Sequence, residues 1–142
     1  MPRLIVLVGA PGSGKSTLAH SLIYEDGDHG AMTVYVNQDS QGRWGHQSVF
    51  FAALERGDDI IVDRMGFNRQ QRERYLKPAK QAGYTTKIIK LNTPKEVCLE
   101  RALKRENHET VKTAEDAHKA INFFFNNYEE VGNDEADEVK IA

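Results

Sequence analysis

Residues 9 to 17 run Gly9, Ala10, Pro11, Gly12, Ser13, Gly14, Lys15, Ser16, Thr17, a full match to the pattern G-x-x-x-x-G-K-[ST]. Each part of this spacing has a physical task. Gly12 and Gly14 let the backbone turn its amides inward, where they can surround phosphate oxygens. A helix starting at Lys15 adds the positive end of its dipole. The Lys15 ammonium can bridge the β- and γ-phosphates of a nucleoside triphosphate. The Ser16 hydroxyl suits a Mg²⁺ ligand, and Thr17 suits a hydrogen bond to phosphate.

A carboxylate belongs near such a cradle. Ile60, Ile61 and Val62 form an apolar run that ends in Asp63, placed to reach the metal directly or through water. The alternative for Asp63 is a cap or turn residue. A second carboxylate, Asp39, stands in the stretch from Val34 to Gln47, which also holds Arg43, Trp44, His46 and two glycines. Phosphoryl transfer to a hydroxyl needs a carboxylate to orient that hydroxyl and accept its proton, and Asp39 is placed for that. Arg43 could hold an acceptor phosphate. Trp44 could stack on a base or tuck into the core. His46 suits a cap or a surface position, and the stretch as a whole reads as a glycine-containing loop.

Basic residues cluster again in Glu100 to Asn107. Arg101 and Arg105 lie four apart, so on a helix they share a face. Val97, Leu99, Ala102 and Leu103 suit the buried side. Together with the polar run from His108 to Thr113 this is a candidate lid over about residues 99–113, able to neutralise charge on a phosphoryl group in flight. The bland alternative is a solvated helix face with Glu100 paired to Lys104.

The elements that must position these groups alternate. Apolar strand-like runs at Leu4–Val8, Met32–Val36, Ile60–Asp63 and Thr85–Leu91 are separated by helical patterns at Lys15–Tyr24, Gln47–Arg56 and Asn68–Gln81. Thr93 as N-cap with Pro94 at the first position opens a further helix, and another covers about Ala114 to Tyr128. Val139–Ile141 could add a fifth strand. Such alternation predicts an α/β domain on a parallel sheet of about five strands. The 142 residues fit one domain, and the 39% hydrophobic and 28% charged composition fits a soluble globular chain. No apolar run is long enough for a membrane span. The single Cys98 has no internal disulfide partner, which suits a reducing cytoplasm and an inert core position. The five histidines show no metal-ligand spacing, so no structural metal is expected.

Net charge is −2, but it is unevenly spread. Glu129, Glu130, Asp134, Glu135, Asp137 and Glu138 face only Lys140 across 129–140, an acidic tail that leaves the rest of the chain net positive. A phosphate-binding loop leaves GTPases, motor ATPases and kinases open. The guanine motif N-K-x-D is absent, and the chain is short for an AAA-type or helicase ATPase.

With Gly9–Thr17, the N-x-D signature Asn37-Gln38-Asp39, the Asp63-Arg64 strand end and the basic segment Arg101–Arg105 in view, the chain resembles the phage-type polynucleotide 5′-hydroxyl kinase family. It is also similar to the kinase domain of fungal-type tRNA ligases. The resemblance runs along nearly the whole chain. It implies a three-layer P-loop kinase fold with a helical lid. It implies ATP (or GTP) as phosphoryl donor, Mg²⁺, and the 5′-hydroxyl end of RNA or DNA as acceptor, in nucleic-acid repair. Asp39 would be the general base, Arg105 and Arg101 would touch donor phosphates, and Asp63 and Arg64 would belong to the acceptor and metal side. The phage members carry an arginine three residues after the base. Here that position is Gly42 and the arginine is Arg43. Two other functions fit the same residues: a small-molecule kinase acting on a sugar, nucleoside or antibiotic, and a nucleotide-binding regulatory module that transfers nothing. No membrane partner is expected, and the sequence points to no particular protein partner.

Overall fold

The computed structural model describes residues 2–26, 33–105 and 111–142. Five strands, β1 (Arg3–Val8), β2 (Thr33–Asn37), β3 (Asp59–Asp63), β4 (Thr85–Lys90) and β5 (Glu138–Ile141), form one sheet in the order β2-β3-β1-β4-β5. Every pairing is parallel. The helices are α1 (Lys15–Asp26), α2 (Gln38–Gln41), α3 (Arg43–Arg56), α4 (Arg69–Gln81), α5 (Lys95–Arg105) and α6 (Val111–Asn127). Sheet and flanking helices make the three-layer α/β arrangement of a P-loop kinase fold.

The central position of β1 explains its continuous apolar run. Leu4, Val6 and Val8 pack into a core with Phe50 of α3, Tyr75 and Leu76 of α4, Ala102 of α5 and Ile121 of α6. Ile5 and Leu7 point to the other face, where Ala19, Leu18 and Leu22 of α1 cover them. A strand covered on both faces has no place for a polar residue. Cys98 is fully buried in the larger core, as an inert core residue should be, and burial pushes its thiol up.

Local chemistry sets the ends. Asn68 caps α4 by accepting from the Gln71 amide at 2.8 Å. Gly57 ends α3 at φ 75°, and its amide bonds back to Leu54. The start of α5 differs from expectation. The Pro94 carbonyl takes the first helical amides, those of Val97 and Cys98, while the Thr93 hydroxyl donates to the Ser13 carbonyl at 2.8 Å. Thr93 therefore ties the helix entry to the phosphate-binding loop instead of capping.

The expected loop after β2 is also helical. α2 follows β2 directly, and α3 begins at Arg43 rather than Gln47, with Gly42 at φ 80° as the hinge between them. The expected acidic tail is an ordered clamp. Glu135 is buried and receives Arg72 Nε at 2.8 Å and the Gly132 amide at 2.6 Å. Asp137 accepts from the Thr86 amide at 2.9 Å, and β5 follows at the sheet edge. Among the described residues no helix is long and apolar enough to cross a membrane.

Candidate active site

The phosphate-binding loop and the ends of β2 and β3 meet at the C-terminal ends of the strands, where open α/β sheets bind ligands. The loop after β1 is held from three sides. The Gly9 amide donates to the Met65 carbonyl at 3.1 Å, Thr93 reaches Ser13, and Arg101 Nη1 donates to the Gly12 carbonyl at 2.9 Å. Its glycines answer to this packing. A Cβ on Gly12 would stand 2.9 Å from the Cys98 carbonyl oxygen, at a φ of +79° that L side chains avoid. Lys15 is buried within the loop and donates through Nζ to the Ala10 carbonyl at 2.9 Å.

Ser16, the second residue of α1, meets β3 here. Its hydroxyl donates to Asp63 Oδ2 at 2.7 Å. The same oxygen accepts from the Tyr35 hydroxyl and, at 3.4 Å, from Asn37 Nδ2. Asn37 Nδ2 also lies 2.6 Å from the Tyr35 oxygen. Register explains the convergence: Asn37 pairs with Asp63, Tyr35 lies two residues before Asn37, and alternate residues of a strand share a face. Burial and then the hydrogen bond to Asp63 push the Tyr35 phenol up, so it stays a proton donor across neutral pH. Tyr35 is thus a site residue that sequence spacing alone did not single out. The signal available was its period-two relation to Asn37.

A cavity of about 330 Å³ opens over this cluster. Pro11, Gly12, Gly14, Lys15, Ser16 and Thr17 of the loop line it, together with Asn37, Gln38, Asp63 and Arg64 at the ends of β2 and β3. Met65, Gln71 of α4 and Ala120 of α6 complete the lining. Of the residues expected at the site, the loop residues from Pro11 to Thr17 other than the buried Ser13 line it, as do Asp63 and Arg64. Gly9 and Ser13 do not line the cavity, and a Cβ on Gly9 would meet Ser13 Oγ. The Ser13 hydroxyl is buried there without a partner among the described residues.

The remaining expected residues are placed less centrally. Asp39 sits on α2, next to the cavity residue Gln38, and Arg105 is the last residue of α5; both side chains lie outside the described structure. The expected lid tip also falls largely outside it, at 106–110. Arg101 is exposed and bound to the loop backbone. Leu103, expected on the buried side of α5, is 48% exposed, because Cys98 and Ala102 form the buried stripe. Glu100 and Lys104 do pair, at 3.7 Å on an exposed face.

Trp44 is 72% exposed, which excludes the core position, and the Arg43 guanidinium lies 5.3 Å from its ring centroid. His46 is buried, not at the surface. Arg72, within the arginine-rich run from Arg64 to Arg74, is consumed by the buried pair with Glu135 and is not available to a ligand.

A magnesium ion fits the donors present. Ser16 can offer a lone pair to a cation while its O–H donates to Asp63, and hard oxygen donors suit Mg²⁺. Among the described residues no cluster of three or more histidine, cysteine or acidic side chains forms a metal cage.

Comparisons with known proteins agree on the fold. The structure superposes on Chaetomium thermophilum Kti12 in complex with ADP-AlF3 with a TM-score of 0.76 at 18% identity, covering 98% of this chain and 88% of that one. It matches a fungal RNA kinase (TM-score 0.68, 13% identity, 99% and 73% coverage). It also matches the Mycobacterium tuberculosis APS kinase CysC in complex with AMPPNP and APS (0.68, 16%, 99% and 88%). Two of these are described as kinases, one of RNA and one of APS, and the likenesses single out no polynucleotide kinase family. No curated protein matches the sequence significantly. A family model described as AAA domain matches residues 4–126. Chain length speaks against AAA-type proteins in the sequence alone, yet this match covers the loop, all the site strands except β5, and α1 to α5: the chain belongs to the AAA domain family.

Proposed function

We propose that this protein is an ATP–Mg²⁺-dependent kinase that transfers the γ-phosphoryl group to the 5′-hydroxyl end of RNA or DNA. The observation that carries the reading is the convergence on one cavity of the phosphate-binding loop, the Ser16–Asp63 pair and the cationic wall residue Arg64. The loop amides and Lys15 hold the donor phosphates and stabilise the charge that spreads during transfer. Magnesium bound at Ser16, with Asp63 behind it, would neutralise charge on the β- and γ-oxygens. Asp63 fixes the Ser16 hydroxyl, and Tyr35 and Asn37 fix Asp63. Asp39, beside Gln38 at the acceptor wall, orients the attacking hydroxyl and accepts its proton. Arg101, already on the loop backbone, and Arg105, one turn later on α5, would contact the donor phosphates. Exposed Trp44, with Arg43 across its ring, supports a nucleic-acid acceptor, since an exposed indole can stack on a base. Similarity to a fungal RNA kinase supports the same class.

A small-molecule acceptor is the second reading. Gln71 and Ala120 also line the cavity, as a bounded pocket for a small acceptor would need, and one structural relative is described as an APS kinase. The deciding experiment is transfer from γ-labelled ATP with Mg²⁺ to 5′-hydroxyl RNA and DNA oligonucleotides, beside a panel of nucleosides and sugars. Labelled oligonucleotide that disappears with Asp39→Asn supports the first reading. Label only on a small molecule supports the second. Nucleotide binding without any transfer means a regulatory module.

A further inference from the structure

A buried polar chain runs from the cavity wall to the start of α3. Arg64 Nη1 donates to the Tyr75 hydroxyl at 2.9 Å. The Tyr75 oxygen lies 3.1 Å from His46 Nε2, and His46 Nδ1 lies 2.9 Å from the Gly42 carbonyl. The protons can be assigned from the ends. A carbonyl only accepts, so Nδ1 carries the hydrogen that reaches Gly42. In the neutral ring Nε2 is then the acceptor, and it takes the phenol proton. A guanidinium only donates, so the phenol oxygen is left to accept from Arg64. Every link is satisfied in one direction.

This arrangement is expensive for mere filling. His46 is 1% exposed and Tyr75 5% exposed, both beside apolar core residues. The Tyr75 ring already packs edge-on against Phe50, with centroids 5.1 Å apart, so the hydroxyl is not needed for that contact. Buried polar groups are costly unless every partner is present, and apolar residues of equal volume fill a core without that demand. The outlet of this chain is the one member that lines the cavity, Arg64.

We infer that His46 and Tyr75 are positioning residues: they hold the Arg64 guanidinium against the acceptor wall and tie it to the hinge that carries Arg43 and Trp44. The ligand class is an anionic acceptor, whose phosphate Arg64 would meet in a fixed orientation. Gly42 is central, because its carbonyl accepts both the His46 side chain and, at 3.0 Å, the His46 amide. The two candidate acceptor contacts thus share one rigid support. This inference rests on the kinase reading for its ligand, but not for its geometry.

The test is Tyr75→Phe, which keeps the ring and removes the hydroxyl, alone and combined with Arg64→Ala. Two readouts are needed. The first is side-chain ¹⁵N NMR of Arg64, which requires no activity: a slowly rotating guanidinium in the native protein and an averaged one in Tyr75→Phe are expected. An Arg64 signal unchanged by Tyr75→Phe overturns the inference, whatever the enzyme does. The second is steady-state transfer to the oligonucleotide. Tyr75→Phe should raise the acceptor KM about tenfold with the ATP KM unchanged, and should add nothing once Arg64 is alanine. Equal losses in both KM values, or additive losses in the double variant, overturn it as a general structural effect. If the native protein transfers nothing, the kinase reading fails while the NMR result still decides the positioning role. Melting temperatures of all variants separate poor folding from altered binding.

Discussion

At the scale of single residues, the site separates groups that hold charge from groups that hold those groups. Lys15 belongs to the first kind. Lys15→Ala should lower kcat by about a hundredfold or more, in line with the loss of one preorganised electrostatic donor; single-turnover kinetics with saturating ATP checks this. Tyr35 belongs to the second kind. Tyr35→Phe removes a donor from Asp63 but leaves Ser16 and Asn37 on it. The expected outcome is a several-fold higher Mg²⁺ concentration for half-maximal rate, with a smaller change in kcat, read from a magnesium titration. A kcat loss as large as that of Lys15→Ala would instead place Tyr35 on the reacting groups.

At the scale of elements, the strands were legible because their apolar runs are short and bounded by glycine, asparagine or aspartate. The loop after β1 was legible because its spacing is nearly unique to phosphate binding. The helical start of α3 was not. Gly42 and Gly45 signal a turn by composition, yet only Gly42 takes a positive φ, while Gly45 continues the helix. The burial of His46 against Tyr75, twenty-nine residues away in sequence, keeps this first turn in place. No local pattern contains that contact. Two predictions belong here. Gly12→Ala should displace the loop from α5, because the new Cβ collides with a helix carbonyl and the φ is strained at a cost of about 1–3 kcal/mol; isothermal titration should show greatly reduced nucleotide affinity. Asn68→Ala should cost about 1 kcal/mol through the lost cap on α4, measured by urea unfolding, with the ATP KM unchanged.

At the scale of the whole molecule, the acidic segment is the largest departure from what spacing implies. Composition shows only an acidic tail; the structure makes Glu135 the partner of a fully buried arginine. Charge counts cannot show this, because an ion pair across 63 residues leaves no trace in local sequence. Burial pushes the Glu135 carboxyl up, but the Arg72 and Gly132 hydrogen bonds outweigh it, and its net shift is downward. A folded pKa below the unfolded one gives stability that is present above the unfolded value, about 4.3, and is lost as pH falls through the folded one. Urea midpoints should therefore decline below about pH 4.5, and the decline should be shallower in Glu135→Gln. That variant should itself lose about 3–5 kcal/mol at neutral pH, since it strands a buried guanidinium. Against a typical total of about 5–15 kcal/mol, such a loss is enough to unfold a marginal chain.

The Arg72–Glu135 pair also sets an order of events during biosynthesis. A ribosome adding about 5–20 residues per second needs roughly 3–13 s to pass from residue 72 to residue 135. For that interval the nascent chain carries a guanidinium destined for the interior with no counter-ion to accompany it. Packing α4 onto the sheet before then would bury Arg72 without its carboxylate, at a cost of about 3–5 kcal/mol. The pocket, whose lining is drawn from Pro11 to Ala120, thus depends for one of its walls on an acidic clamp translated after all of it.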